Sequence, residues 1–179
     1  MGEPSDTPLQ CFMLTTSYRD IAGHFEMTLH AATDRGLPLQ IHVDNFRPLF
    51  FVQQSTAAEK ASGCSERINR GLRTMQGVAV DCVYFPTLSS AADAASALRG
   101  ENIPVYESDI NPVLRYLMER GVRGGFLCEG PVVQRGRTLL TRNPRIRGCE
   151  RVPALKVLEL DIETNAPTDD IYSIACCGH

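Results

Sequence analysis

The 179-residue sequence has no run of eighteen apolar residues, which excludes a membrane-spanning helix. Its start, Met1-Gly2-Glu3-Pro4-Ser5-Asp6, is polar and acidic, without the basic beginning and apolar core of a secretory signal. No Cys-x-x-Cys pair occurs among the seven cysteines, an odd number in a chain long enough to build a core without staples. Cys176 and Cys177 are neighbours, a poor arrangement for a structural disulfide or a zinc site. Reduced, mostly buried thiols are therefore expected, as in a cytoplasmic protein. The four histidines are scattered, and none stands at zinc-knuckle spacing from a cysteine. Positive charge is not in excess either: the formal net charge is −3, which by itself argues against a nucleic-acid partner.

What is present is ordinary in bulk and uneven in detail. Apolar residues make up 43% and charged residues 22%, the balance of a globular chain. The length suits one good-sized domain, or one domain and the start of another. Charge is not spread evenly. Residues 1–134 sum to −4, residues 135–151 carry six arginines against Glu150, and residues 152–179 return to −4. A basic band beside an acidic segment suits a site that handles phosphodiesters with a metal, and it also arises from composition alone.

The acidic segment contains the most chemically pointed stretch, Lys156-Val157-Leu158-Glu159-Leu160-Asp161-Ile162-Glu163-Thr164. Val157, Leu158, Leu160 and Ile162 are β-prone and predict a strand buried on at least one face. Strand side chains alternate, so Asp161 and Glu163 share a face, about 6–7 Å apart along the strand. Two carboxylates held together in a buried place need compensation. A divalent cation supplies it, and all-oxygen ligands favour magnesium or manganese. The plainer reading of any Asp-x-Glu is a strand end with two solvated acids.

Taken in order, Leu9 to Ser17, His24 to Ala32, Leu39 to Val43 and Leu49 to Gln53 read as four close strands of a small antiparallel barrel or meander. His24, His30 and His42 lie on these strands as ordinary surface residues. Thr56 to Met75 is polar and alanine-containing, and reads as a helix interrupted at Gly63 or as a connection with a helical second half. Val78 to Phe85 predicts a strand, Thr87 to Leu98 a small-residue helix and Ile103 to Tyr106 a strand, together a β-α-β unit. Gly124 to Cys128 and Pro131 to Leu140 read as strands around Glu129-Gly130. The arginine-rich stretch up to Arg151, with Pro144 and Pro153, reads as a linker. Ile171 to Cys177 predicts a strand forming a hairpin with the acidic one.

Between these lies Tyr106-Glu107-Ser108-Asp109-Ile110-Asn111-Pro112-Val113-Leu114-Arg115-Tyr116-Leu117-Met118-Glu119-Arg120-Gly121. Asp109 or Asn111 caps a short helix, Pro112 fits its first turn and Gly121 ends it. Val113, Leu114, Leu117 and Met118 are expected as its apolar stripe, with Arg115 and Glu119 as an i,i+4 pair.

The wording Tyr-Glu-x-Asp-Ile-x-Pro-x-x-Arg-Tyr-Leu-Met-Glu-Arg resembles the family B DNA polymerases, in the branch of bacterial DNA polymerase II. The string Leu160-Asp161-Ile162-Glu163-Thr164, about forty residues later, resembles the first metal-binding motif of their proofreading 3′–5′ exonuclease. Ala32-Thr33-Asp34-Arg35-Gly36-Leu37-Pro38-Leu39 is similar to their N-terminal barrel. The resemblance implies an α+β chain: a barrel-like meander with a β-α-β unit over residues 1–150, then the first β-hairpin of an RNase H-like exonuclease domain over 151–179. It implies Asp161 and Glu163 as catalytic metal ligands for Mg2+ or Mn2+. Arg135, Arg137, Arg142, Arg145 and Arg147 are the candidate DNA contacts. The implied partners of the longer parent are DNA primer-template, deoxynucleoside triphosphates and a sliding clamp held by other regions, with no membrane. The later exonuclease acids and the polymerase palm have no counterpart here, so the chain is expected to be the inactive front piece of a longer enzyme. Two other classes remain open: a non-catalytic nucleic-acid-binding module, and a stand-alone RNase H-like nuclease.

Overall fold

The structure, a computed structural model, describes residues 8–57, 60–165, 167–168 and 170–178. Its larger part is a seven-stranded sheet built from β1 (Leu9–Ile21), β2 (His24–Thr33), β3 (Pro38–Val43), β8 (Gly125–Glu129), β9 (Val133–Arg135), β10 (Thr138–Arg142) and β11 (Arg145–Gly148), ordered β11-β8-β1-β2-β3-β10-β9. All neighbours are antiparallel except β3 and β10, which run parallel.

Only Asn143 and Pro144 separate β10 from β11, yet five strand spacings lie between them in the sheet. A flat sheet would set them about 24 Å apart at roughly 4.8 Å per strand. The chain from Arg142 to Arg145 spans at most about 11 Å at 3.8 Å per Cα step. The sheet must therefore curl, and the expected barrel-like shape follows. Alternation on β2 and β3 aims Phe25, Met27, Leu29, Leu39, Ile41 and Val43 inward, each at most 1% exposed.

The second unit is a four-stranded sheet of β4 (Leu49–Gln53), β5 (Glu66–Arg73), β6 (Ala79–Tyr84) and β7 (Val105–Tyr106), ordered β5-β6-β4-β7. Helix α1 (Leu88–Gly100) connects β6 to β7 over the inserted β4, so the expected β-α-β unit is present. Thr87 and Ser90 form a capping box at its start. Ala91, Ala94 and Ala95 let the helix lie close on Phe50, Val52 and Val83, with Phe50 stacked on Phe85 at 4.9 Å.

Several expectations are corrected. β4 leaves the meander for this second sheet, because the Asp44-to-Pro48 turn redirects the chain. The predicted helical stretch within 56–75 contains β5 instead. Its polar residues show no apolar alternation, and pairing to β6 decides its state, with the Arg67–Asp81 ion pair (2.8 Å) between the two strands. Pro131 to Leu140 is a hairpin, β9 and β10, and much of the supposed arginine-rich linker is strand. After β11, residues 149–157 lack regular structure. No disulfide joins any of the seven cysteines; Cys11, Cys82 and Cys128 are buried, and Cys176 and Cys177 are exposed. Burial pushes the Cys11 and Cys128 thiols up to about 12. The N-terminal residues 1–7, and residues 166 and 169 of the expected turn after Thr164, lie outside the described residues.

Helix α2 (Pro112–Met118) joins the two units. Asn111, not Asp109, is its cap, its Oδ1 accepting from Val113 N (2.9 Å) and Leu114 N (3.3 Å), with Pro112 in the first turn. Gly121, at φ 64°, ends it as expected, and the Val122 amide reaches the Leu117 carbonyl at 2.9 Å. Only half of the predicted stripe faces inward, Val113 buried and Leu117 partly so against the barrel core. Val113 and Tyr116 enter the barrel core, while Leu114 and Met118 are 57% and 67% exposed. Arg115 is buried and pairs with Glu107 (2.7 Å) rather than Glu119, because Glu107, at φ 58°, turns back toward the helix. Asn111→Ala removes the acceptor for two otherwise unpaired amides. It is expected to lower unfolding free energy by about 1 kcal/mol in urea titrations, with Asn111→Asp close to wild type.

Candidate metal-ligand hairpin and basic band

The predicted acidic strand is β12 (Leu158–Asn165), and it pairs antiparallel with β13 (Asp170–Gly178) as the expected hairpin. Asp161 lies opposite Ala175 and Glu163 opposite Ser173. Directly opposed residues share a face, so Glu159, Asp161 and Glu163 stand on one side and Leu158, Leu160 and Ile162 on the other with Ile174. The same-face placement of the two acids is thus observed. Their burial is not. Every residue from Leu158 to Thr164 is exposed, with Leu160 at 60% and Ile162 at 52%. The apolar residues suggested a covered strand, but no other element of the described chain packs over their face. Both carboxylates are accordingly open to solvent.

Carboxylate oxygens are the right donors for magnesium or manganese, which take about six oxygen ligands. Two carboxylates on an open strand do not complete such a set. No group of three or more histidine, cysteine, aspartate or glutamate side chains is placed to hold a metal among the described residues. The donor type fits, and the site is partial.

The basic band is spread over three strands and a turn. Arg135 ends β9, Arg137 is in the turn to β10, and both are exposed. Arg142 pairs with Asp44, and Arg145 lies 4.0 Å from Glu129. On β11 the buried Ile146 sets Arg145 and Arg147 outward. Part of the positive charge is therefore spent within the barrel. Asn143 completes the Asp44 knot, its Oδ1 accepting from the Asp44 amide (3.0 Å) and its Nδ2 donating to the Asp44 carboxylate (2.5 Å).

The face of the second sheet turned away from α1 holds a trough of about 550 Å3 with an adjoining lobe of about 270 Å3, both lined by Phe51 and Leu72. Taking β5 for a helix hid it, since Arg70 and Leu72 then had no sheet to belong to. The signal available was Phe51, Tyr84 and Tyr106, each in a short predicted strand.

No protein-family model matches the sequence, and no curated protein matches it. Among solved structures, the family B DNA polymerase from the hyperthermophilic archaeon Pyrobaculum calidifontis superposes with a TM-score of 0.73 at 22% identity, over 94% of this chain. The likeness is one of fold. This chain spans a quarter of the length of that polymerase chain.

The Asp44 carboxyl is held below its ordinary value of 3.8 by the Asn143 amide, against some desolvation, and by the Arg142 guanidinium. A lowered folded value makes its contribution to stability complete above pH 3.8, and that contribution is lost as pH falls through the folded value. Asp44→Asn is thus expected to melt below wild type near neutral pH and to converge with it in strong acid. Thermal melts across this range check the sign. A constant gap at every pH contradicts it.

Proposed function

We propose that the chain is the N-terminal part of a family B DNA polymerase of the polymerase II type, with the start of its 3′–5′ proofreading exonuclease. The observation carrying this reading is the fold likeness over 94% of the chain. Two motifs at the right order and spacing support it, one at Tyr106 to Arg120 and one at Leu160 to Thr164. Residues 1–150 form the N-terminal domain in this reading, and 151–179 open an RNase H-like domain. The parent extends a primer on a DNA template with deoxynucleoside triphosphates in the cytoplasm, in replication or repair, and removes mispaired ends.

The motif helix also has a mechanical reason for its wording. Tyr106 accepts a hydrogen bond from Gln53 (3.0 Å), Glu107 holds Arg115, and Tyr116 meets Phe46 edge-on at 5.5 Å inside the barrel. Arg120 lies 3.6 Å over the Tyr116 ring. These residues fix the barrel to the second sheet, so the piece serves as a scaffold.

Asp161 and Glu163 hold Mg2+ or Mn2+ in the longer protein, where further acids complete the set. The ions supply charge stabilisation to the attacking and leaving oxygens of phosphodiester hydrolysis. The apolar face of Leu158, Leu160 and Ile162 is what the rest of such a domain would cover. The arginines of the band give salt-sensitive contacts to single-stranded DNA, chiefly through Arg135, Arg137 and Arg147.

Replacing both acids, Asp161→Ala with Glu163→Ala, in the longer protein is expected to lower removal of a mismatched 3′ end on the order of a thousandfold. Primer extension should stay near normal, because both side chains are exposed and neither supports the fold. Gel assays on matched and mismatched primers separate the two activities. Undiminished mismatch removal contradicts the assignment of these residues, and a protein without any primer extension contradicts the polymerase reading.

A further inference from the structure

The turn that joins β5 to β6 is well hydrogen-bonded and apolar at once. The Thr74 amide donates to the Val78 carbonyl (2.9 Å), the Gly77 amide to the Thr74 carbonyl (2.9 Å) and the Arg73 guanidinium to the Gly77 carbonyl (2.8 Å). Gly77 takes φ 82°, a conformation that glycine adopts without strain. Met75 nevertheless stands fully exposed at the tip, with Leu72 47% and Val78 40% exposed beside it. Three apolar side chains held in water on one turn add little to the fold, and such a grouping marks a contact surface.

Leu72 and Met75 also line the larger lobe of the trough, together with Phe51, Val80 and Val105. Methionine and aliphatic side chains adapt to the shape of a partner. Charge on this face is lopsided. Glu66 is engaged by Arg47, Glu107 by Arg115 (2.7 Å) and Glu119 by Arg120 (3.6 Å). Arg70 and Arg73 form no ion pair among the described residues, and they line the smaller and the larger lobe. Two positive charges without a counter-charge thus flank an apolar trough.

Two kinds of anionic chain carry charge that suits those arginines, a nucleic acid and an acidic peptide. The rings of the trough decide between them. Phe51, Tyr84 and Tyr106 are half-buried, Arg47 lies 4.7 Å over the Tyr84 ring and Arg115 lies 5.5 Å from the Phe51 ring centroid. Unpaired bases need open ring faces to stack on, and these are taken by guanidiniums. What the trough leaves open is aliphatic: Leu72, Met75 and Val105 receive apolar side chains. Methionine and arginine are enriched where proteins bind proteins.

We infer that this trough, with Met75 at its lip, docks an acidic peptide segment of a partner protein. Apolar side chains of the peptide seat against Leu72, Met75 and Val105, and its carboxylates pair with Arg70 and Arg73. The turn is already held in shape, so docking carries little ordering cost on this side. Such docking goes beyond the polymerase reading and draws on neither the acidic hairpin nor the basic band.

The test pans a phage library of random twelve-residue peptides on the 179-residue chain at low salt. Counter-selection on Arg70→Gln with Arg73→Gln removes binders of other surfaces. Enriched peptides are expected to combine net negative charge with at least two apolar side chains. The leading peptide, synthesised with a fluorescent label, should bind wild-type chain and lose affinity as salt rises. Met75→Ser should weaken it about tenfold, and the double arginine variant at least as much. Met75 is fully exposed, so Met75→Ser should melt close to wild type and its effect is read on a folded chain. Panning that enriches nothing over the double variant overturns the proposal, as does enrichment of neutral or basic peptides. Binding indifferent to Met75→Ser overturns it too. So does a thymidine oligonucleotide of equal charge that displaces the labelled peptide at a lower concentration than unlabelled peptide does. None of these outcomes touches primer extension by the longer protein, which judges the polymerase reading separately.

Discussion

The step of two residues from β10 to β11 is the constraint on which the rest of the structure depends. It carries the chain between strands that are five spacings apart in the sheet, and so it bends the sheet on itself. The Asp44, Arg142 and Asn143 knot holds the beginning of that step against the end of β3. Close packing pins the other end. A Cβ at Gly148 would overlap the Gly121 carbonyl, and one at Gly125 would lie 2.5 Å from the Cys149 carbonyl oxygen. Curling encloses an apolar interior that the strands alone do not fill, and Val113 and Tyr116 of α2 fill it.

From that helix the second sheet takes its position. Arg115 sits below the barrel-facing residues, bound to Glu107 and 5.5 Å from the Phe51 ring centroid. A buried guanidinium is tolerable only with such partners, since an unpaired buried charge costs several kcal/mol. A second tie lies at the far end of β1. There the Asp20 carboxylate accepts from the Leu88 and Ser89 amides (2.8 and 2.9 Å) at the start of α1. An acid at a helix N-terminus meets both unpaired amides and the positive end of the helix dipole. Two charged residues therefore hold the two sheets in register.

What could be read in advance was what is local. Asn111, Pro112 and Gly121 act on their own helix ends, so start and stop of α2 were legible. The capped, alanine-rich α1 and the strongly alternating β2 were legible for the same reason. Long-range pairing was not. β5 owes its state to β6, with a bulge between Asn69 and Leu72 where Gly71 takes φ 68°. β4 sits beside β6 rather than β3. Arg115 pairs eight residues back through a left-handed Glu107, which no helical-spacing rule foresees. At the candidate site, the shared face of Asp161 and Glu163 follows from strand geometry alone. Their exposure does not, because it depends on what packs over the apolar side.

That exposure defines the account. Barrel and second sheet carry their own cores, whereas the hairpin of β12 and β13 shows an apolar face with no cover among the described residues. A two-stranded hairpin alone is marginally stable in water. Amide hydrogen exchange on the 179-residue chain, read residue by residue by NMR, tests this most directly. Strong protection is expected for β2, β3, β6 and β8, with exchange near the unprotected rate from Leu158 to Thr164. Hairpin amides as protected as those of the barrel would contradict the claim that β12 and β13 draw no stability from the barrel and the second sheet.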